Sequence, residues 1–419
     1  MRILDLLGVP VRAGFFRDDQ ASIRAGATHD GFLYSDAPLT PGFRAVREPG
    51  MAVSLMLLLE DGRVALGDCA EVQYAGAGGR STLIDPDRLL DEAVRGLRPA
   101  LVGREIDGFR PLAEEIDAAL VDGGPISLPL RYGISQALLD AAAQAAGVTM
   151  AEVVRDEYDT GVELAPVPIY AQSGDDRYST VDKMILKRVD VLPHGLINTI
   201  DGKLGRRGEL LLEYVAWVRD RILHLRVDDY APVIHVDVYG TVGLIFDGDL
   251  DAVADYLARL AKEAAPFHLR VEHPVDAGDR EGQIAAYVAL RRMLASRGAA
   301  VELVADEWCN TLDDIRAFLA ASAADMIQVK TPDLGGVGNT IEALLDVRRA
   351  GFGAFCGGTC NETDVSARVS AQIAMACGAD QVLAKPGMGV DEGLMIVGNE
   401  MTRTAALART RSLRAAQTD

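Results

Sequence analysis

From Pro166 onward, short apolar runs alternate with stretches whose apolar residues recur at helical spacing. The strand candidates are Val167 to Ala171, Met184 to Val189, Val233 to Val236, His268 to Val271, Val301 to Ala305, Met326 to Val329, Gly353 to Cys356 and Gln381 to Ala384. Between them, Leu250 to Ala261 sets Leu250, Val253, Ala254, Leu257, Leu260 and Ala261 on one face, which predicts an amphipathic helix. Eight strand–helix units in a run predict a (β/α)8 TIM-type barrel of about 250 residues, with a doubly wound open sheet as the alternative.

Before Pro166 the rhythm is different. Met51 to Leu59 and Val64 to Cys69 are apolar runs on either side of Asp61-Gly62, a pattern that predicts a hairpin. Asp85-Pro86 offers an N-cap followed by proline at the first helical position, and Ser135 to Ala146 runs into the helix stop Gly147. The expected division is an N-terminal α+β domain over residues 1–164 and a barrel over 165–419. Gly76, Gly78 and Gly79 follow the hairpin without GxGxxG spacing or a later Lys-Ser/Thr, so they predict a mobile turn rather than a phosphate cradle.

Composition narrows the partners. With 49 % hydrophobic and 25 % charged residues, the 419-residue chain belongs to the folded globular class. Its formal charge of −20 opposes a phosphate backbone or an anionic membrane surface, so no nucleic acid and no membrane is expected as partner. An anionic substrate would need a local group of cations. No apolar run approaches the roughly 18 residues of a membrane span, and Arg2 and Asp5 interrupt any N-terminal signal core. Five scattered cysteines, without a zinc-type pair, read as reduced thiols, and the expected location is cytoplasmic.

In a barrel of this kind the chemistry sits where strands end. Three consecutive strand candidates close on a carboxylate: Asp237, Glu272 and Asp306, each about one βα unit of the order of 30 residues from the next. Any one of them could be a helix N-cap or a solvated acid. Three at one mouth repel one another unless a cation neutralises them, and oxygen-only ligation suits Mg2+. The following strand places Lys330 at the same rim, with Gln328 on the same side by alternation. Lys330 could serve only as a salt-bridge partner; beside a divalent cation it could also act as a general base. A metal that polarises a carboxylate and a lysine that removes the adjacent C–H proton make an enolase-type arrangement.

At these residues the chain resembles the methylaspartate ammonia-lyase (3-methylaspartase) family of the enolase superfamily. The likeness is carried by Gly67 to Arg80, Pro168-Ile169-Tyr170-Ala171-Gln172, Leu192-Pro193-His194, His235 to Gly240, Asp306 to Thr311, Lys330-Thr331-Pro332-Asp333, Gly357 to Thr363 and Lys385 to Gly389. The resemblance implies an ammonia-lyase of glutamate degradation, with an N-terminal capping domain over the barrel mouth. In it Asp237, Glu272 and Asp306 bind Mg2+, and Lys330 removes the C3 proton of (2S,3S)-3-methylaspartate. Loss of ammonia from C2 then gives mesaconate. It further implies His194 as a second catalytic residue opposite Lys330, Gln172 and Gln328 on the carboxylate being enolised, Thr359 and Cys360 on the other carboxylate, and Gln73 on the amino group. A homodimer and K+ as a candidate monovalent activator come with the family. Two features depart from its pattern: His273 follows Glu272 where a small residue is expected, and the aromatic position 170 is a tyrosine. Leu383 is expected to border the pocket. Rival readings are another enolase-superfamily outcome, such as an epimerase, a dehydratase or a cycloisomerase, and a barrel kept as a scaffold. Against the scaffold stands the complete set of candidate acid, base and metal residues.

Overall fold

The computed structural model describes residues 1–72, 84–121 and 123–415. The first part of the chain builds a three-stranded antiparallel sheet in the order β1 (Ile3–Asp18), β2 (Arg47–Leu59), β3 (Val64–Cys69). β2 and β3 form the expected hairpin, and the turn uses Gly62 at φ +86°, a left-handed conformation that glycine adopts without steric cost. β1 was not signalled by alternation, because Leu4, Leu7 and Val9 leave apolar side chains on its exposed face as well. It is an edge strand, where Pro10 removes no needed donor. The helix Leu128–Ala146 packs on β3 and ends at Gly147, φ +68°, as expected; the helix Pro86–Glu92 has Asp85 as its N-cap.

From Ile169 the chain forms eight parallel strands: β4 (Ile169–Tyr170), β5 (Val191–His194), β6 (Val233–Asp237), β7 (Leu269–Glu272), β8 (Val301–Ala305), β9 (Met326–Val329), β10 (Gly353–Cys356) and β11 (Gln381–Leu383). β11 pairs with β4, which closes the barrel and removes the open-sheet alternative. One expected strand was misplaced. Met184 to Leu186 end the helix Ser179–Leu186, whose buried Thr180, Val181, Met184 and Ile185 follow helical spacing, and the strand is Val191–His194 instead.

Alternation along each strand sorts residues into two shells. Tyr170, Val191, Val304, Met326, Phe355 and Leu383 fill the barrel interior, while Ile169, Leu192, Val236, Val271, Ile327 and Val382 pack into the large outer core shared with the helices. Interior positions therefore continue, two residues at a time, into the mouth. The cap is tied to this mouth by specific bonds: Gly14 N–H donates to Glu362 O at 2.9 Å and Asn361 Nδ2 donates to Phe16 O at 3.1 Å. Ser135 Oγ accepts from Val337 N–H at 2.9 Å.

Candidate active site

Asp237 and Glu272 are register partners on β6 and β7, and Asp306 lies two residues beyond Val304, the register partner of Glu272. All three are buried, and one oxygen of each falls within 4.8 Å of the others. Burial and the charges of Asp237 and Asp306 push the Glu272 carboxyl well above its ordinary range. Among the described residues Glu272 Oε2 is buried without a hydrogen bond, although His235 Nε2 stands 2.9 Å away. Gln328 Nε2 donates to Glu272 Oε1. A divalent cation fits this donor set: it would relieve the repulsion and give the orphaned oxygen a partner.

Lys330 Nζ donates to Asp306 Oδ2 at 2.7 Å and is largely buried. The salt-bridge reading and the base reading thus share one geometry. His194 stands on β5, four strands from β9 around the eight-stranded barrel, hence across the mouth from Lys330. It is the last residue of its strand rather than a loop residue. Alternation from Leu192 and register with Val236 would turn its side chain into the outer core, but its φ of +69° swings the ring inward. There Nε2 is 3.4 Å from Asp237 Oδ2, and Nδ1 accepts from Leu196 N–H at 3.2 Å. That bond places the proton of the neutral ring on Nε2.

These side chains line a cavity of about 50 Å³, together with Gln172, Gln328, Thr359, Cys360, Leu383 and Tyr170. Gln172 lines this cavity and is buried, and among the described residues its Nε2 has no hydrogen-bond partner. Burial pushes the Cys360 thiol up to about 12, so it remains a neutral donor, which opposes a nucleophilic role. All five cysteines are buried and none is in a disulfide, as expected of reduced thiols. His273 stays outside the carboxylate group, its Nδ1 3.0 Å from Glu307. Gln73 and the glycines at 76, 78 and 79 lie outside the described residues. The sequence reading missed Glu307, Tyr239, Phe355, Met388 and Val72 in the lining. Phe355 and Glu307 had a signal: Phe355 is an interior strand position and Glu307 adjoins a strand-tip acid.

The sequence matches the profile described as Methylaspartate ammonia-lyase N-terminus over residues 1–159 and that described as Methylaspartate ammonia-lyase C-terminus over 161–410. It is 56 % identical to the methylaspartate ammonia-lyase of Clostridium tetanomorphum over 98 % of this chain and 100 % of that protein. The Mg-complex structure of that enzyme aligns with a TM-score of 0.93, at 56 % identity over 98 % of this chain and 100 % of the other. The Citrobacter amalonaticus enzyme, solved with (2S,3S)-3-methylaspartic acid, aligns with a TM-score of 0.95 at 50 % identity, covering 98 % and 100 %. A likeness to the L-Ala-D/L-Glu epimerase from Bacillus subtilis, at 14 % identity and TM-score 0.64 over 94 % and 92 %, concerns the fold alone. With profile matches to both halves and relatives aligned from end to end, the chain belongs to the methylaspartate ammonia-lyase family.

Proposed function

We propose that this chain is a Mg2+-dependent methylaspartate ammonia-lyase that converts (2S,3S)-3-methylaspartate into mesaconate and ammonia. The observation that carries the reading is the pairing of three buried carboxylates with Lys330 on the adjoining stave, in a family whose relatives bear this name. Asp237, Glu272 and Asp306 are the residues that hold Mg2+, which when bound supplies positive charge against the negative charge building on the carboxylate next to C3. Lys330, after losing the proton it shares with Asp306, accepts the proton from C3. The C–H electron pair becomes the C2–C3 double bond as the C–N bond breaks and ammonia leaves. Gln172 and Gln328 orient the carboxylate beside C3, Thr359 and Cys360 hold the other one, and Gln73 of the cap holds the amino group. His194 faces the opposite side of the substrate, where it serves the other C3 diastereomer.

In this reading residues 1–164 form the cap and 165–419 the catalytic barrel, and K+ is a candidate activator. The enzyme serves glutamate degradation through methylaspartate, in the cytoplasm and as a homodimer. Among the described residues no single helix is long and apolar enough to cross a membrane. Exposed Met395, Leu407 and Leu413 on the helix Val390–Ala415 supply apolar surface for a second copy. The test is mesaconate formation from (2S,3S)-3-methylaspartate, followed by its ultraviolet absorbance with Mg2+ and with EDTA. Epimerisation without release of ammonia would replace the lyase with another enolase-superfamily activity.

A further inference from the structure

Behind the Thr359–Cys360 loop lies a charged pair that the reaction above does not use. Lys385, the next interior position after Leu383 of β11, and Glu362 are both fully buried. Lys385 Nζ lies 2.5 Å from Glu362 Oε2 and donates to Gly357 O at 2.7 Å and to Thr331 Oγ1 at 3.1 Å. Glu362 Oε1 accepts from Thr331 Oγ1 at 3.0 Å and from the hydroxyl of Tyr132, which comes from the cap helix Leu128–Ala146. None of Tyr132, Glu362 and Lys385 lines the cavity.

Two charges withdrawn from water are a costly filling for a core that apolar residues of equal volume could occupy. What distinguishes this pair is its surroundings: its partners Thr331, Gly357 and Tyr132 come from three segments that adjoin the site. Thr331 follows Lys330, Gly357 precedes the Thr359–Cys360 loop, Glu362 ends that loop, and Tyr132 belongs to the cap. The loop is moulded on the pair: Gly358 has φ +135°, and a side chain there would strike the Lys385 ammonium and the Glu362 carboxylate. Tyr132 remains a donor, because burial and the Glu362 charge push its phenol well above the ordinary range.

We propose that Tyr132, Glu362 and Lys385 are positioning residues that dock the cap on the barrel and thereby set the pose of the Thr359–Cys360 loop and of Lys330. The inference rests on the reading of Thr359 and Cys360 as the clamp for the substrate's second carboxylate. The test compares full-length Tyr132→Phe and Lys385→Met/Glu362→Leu with the parent enzyme, in kinetics, thermal unfolding and Mg2+ titration. The double variant, an apolar replacement, is expected to keep its melting temperature and Mg2+ affinity while kcat/KM falls on the order of 100-fold through both kcat and KM. Tyr132→Phe is expected to lose about 10-fold in kcat/KM with the fold intact. If either folded variant stays within about twofold of the parent in kcat/KM, the proposal is overturned. Should the double variant not fold, Tyr132→Phe decides alone. Thr359→Ala separates the underlying reading: a raised KM supports the clamp. An unchanged KM removes the clamp, and the cluster then stands or falls on the kcat of Tyr132→Phe.

Discussion

Lys330 Nζ and Asp306 Oδ2 are joined by a 2.7 Å hydrogen bond, so the candidate base and the candidate metal cage share a carboxylate. Each supplies positive charge to the same buried triad, and removing one leaves the other to balance it.

Lys330→Ala should therefore lose turnover of the (2S,3S) substrate by on the order of 1,000-fold or more, the scale of a general base, while remaining folded. Its Mg2+ affinity should not weaken, because a competing cation has gone. Mesaconate formation and a Mg2+ titration on the same preparation check both halves; near-normal turnover would reject the assignment.

Metal binding should depend on pH in a defined direction. Burial beside Asp237 and Asp306 raises the folded-state pKa of Glu272. In the metal-free protein this group stabilises the fold at low pH and loses that contribution as pH rises through the folded value. Mg2+ requires the ionised form, so its affinity rises over the same interval, with a proton released on binding. The gap in melting temperature between Mg2+-loaded and EDTA-stripped protein should widen from mildly acidic to mildly alkaline buffer. A gap that is constant or narrows would show that Glu272 is not the linked group.

Glu272→Gln separates stability from function. Removing one of three mutually repelling charges should raise the melting temperature of the metal-free protein, or leave it unchanged, while mesaconate formation and the Mg2+-dependent gain both disappear. A variant that is stabilised by Mg2+ as strongly as the parent would remove Glu272 from the ligand set.

His194→Ala should affect the two C3 diastereomers unequally. The ring stands across the barrel mouth from Lys330, so turnover of the diastereomer with the opposite C3 hydrogen should fall by on the order of 100-fold and that of (2S,3S)-3-methylaspartate by less than about 10-fold. Equal losses would indicate that His194 serves only to hold Asp237.

Cys360 should resist alkylation. Its thiol is buried and pushed up to about 12, so iodoacetamide at neutral pH should leave the folded enzyme active. Cys360→Ala should fold and turn over with a KM raised about 10-fold, because it removes one donor and no reacting group.

The three acids and Lys330 were legible because a strand repeats every two residues: His235 with Asp237, Val304 with Asp306 and Gln328 with Lys330 all follow the interior face. The same rule applied to β11 leads from Leu383 to Lys385, so that residue could have been found by carrying the strand-tip reading around the whole barrel. His194 could not have been found in that way. Its place depends on a backbone angle that breaks the alternation, and only the family resemblance singled it out. The misplaced second strand has a different cause. Met184 to Val189 is short and apolar enough to suit either element, and packing beneath the helix Ser179–Leu186 decides it. β1 escaped notice because an edge strand with apolar residues on both faces shows no period at all.

His194 is not alone in its unusual backbone: Tyr239, His273 and Trp308, one or two residues beyond the three acids, also have positive φ, at +49°, +48° and +64°. For side-chain-bearing residues this is an unfavourable conformation. A search for heat-resistant variants by glycine replacement would be drawn to these hinges between stave and loop. Each degree gained there would be offset by looser aim of the acid next door, so durability is better sought on the outer helices, remote from the mouth.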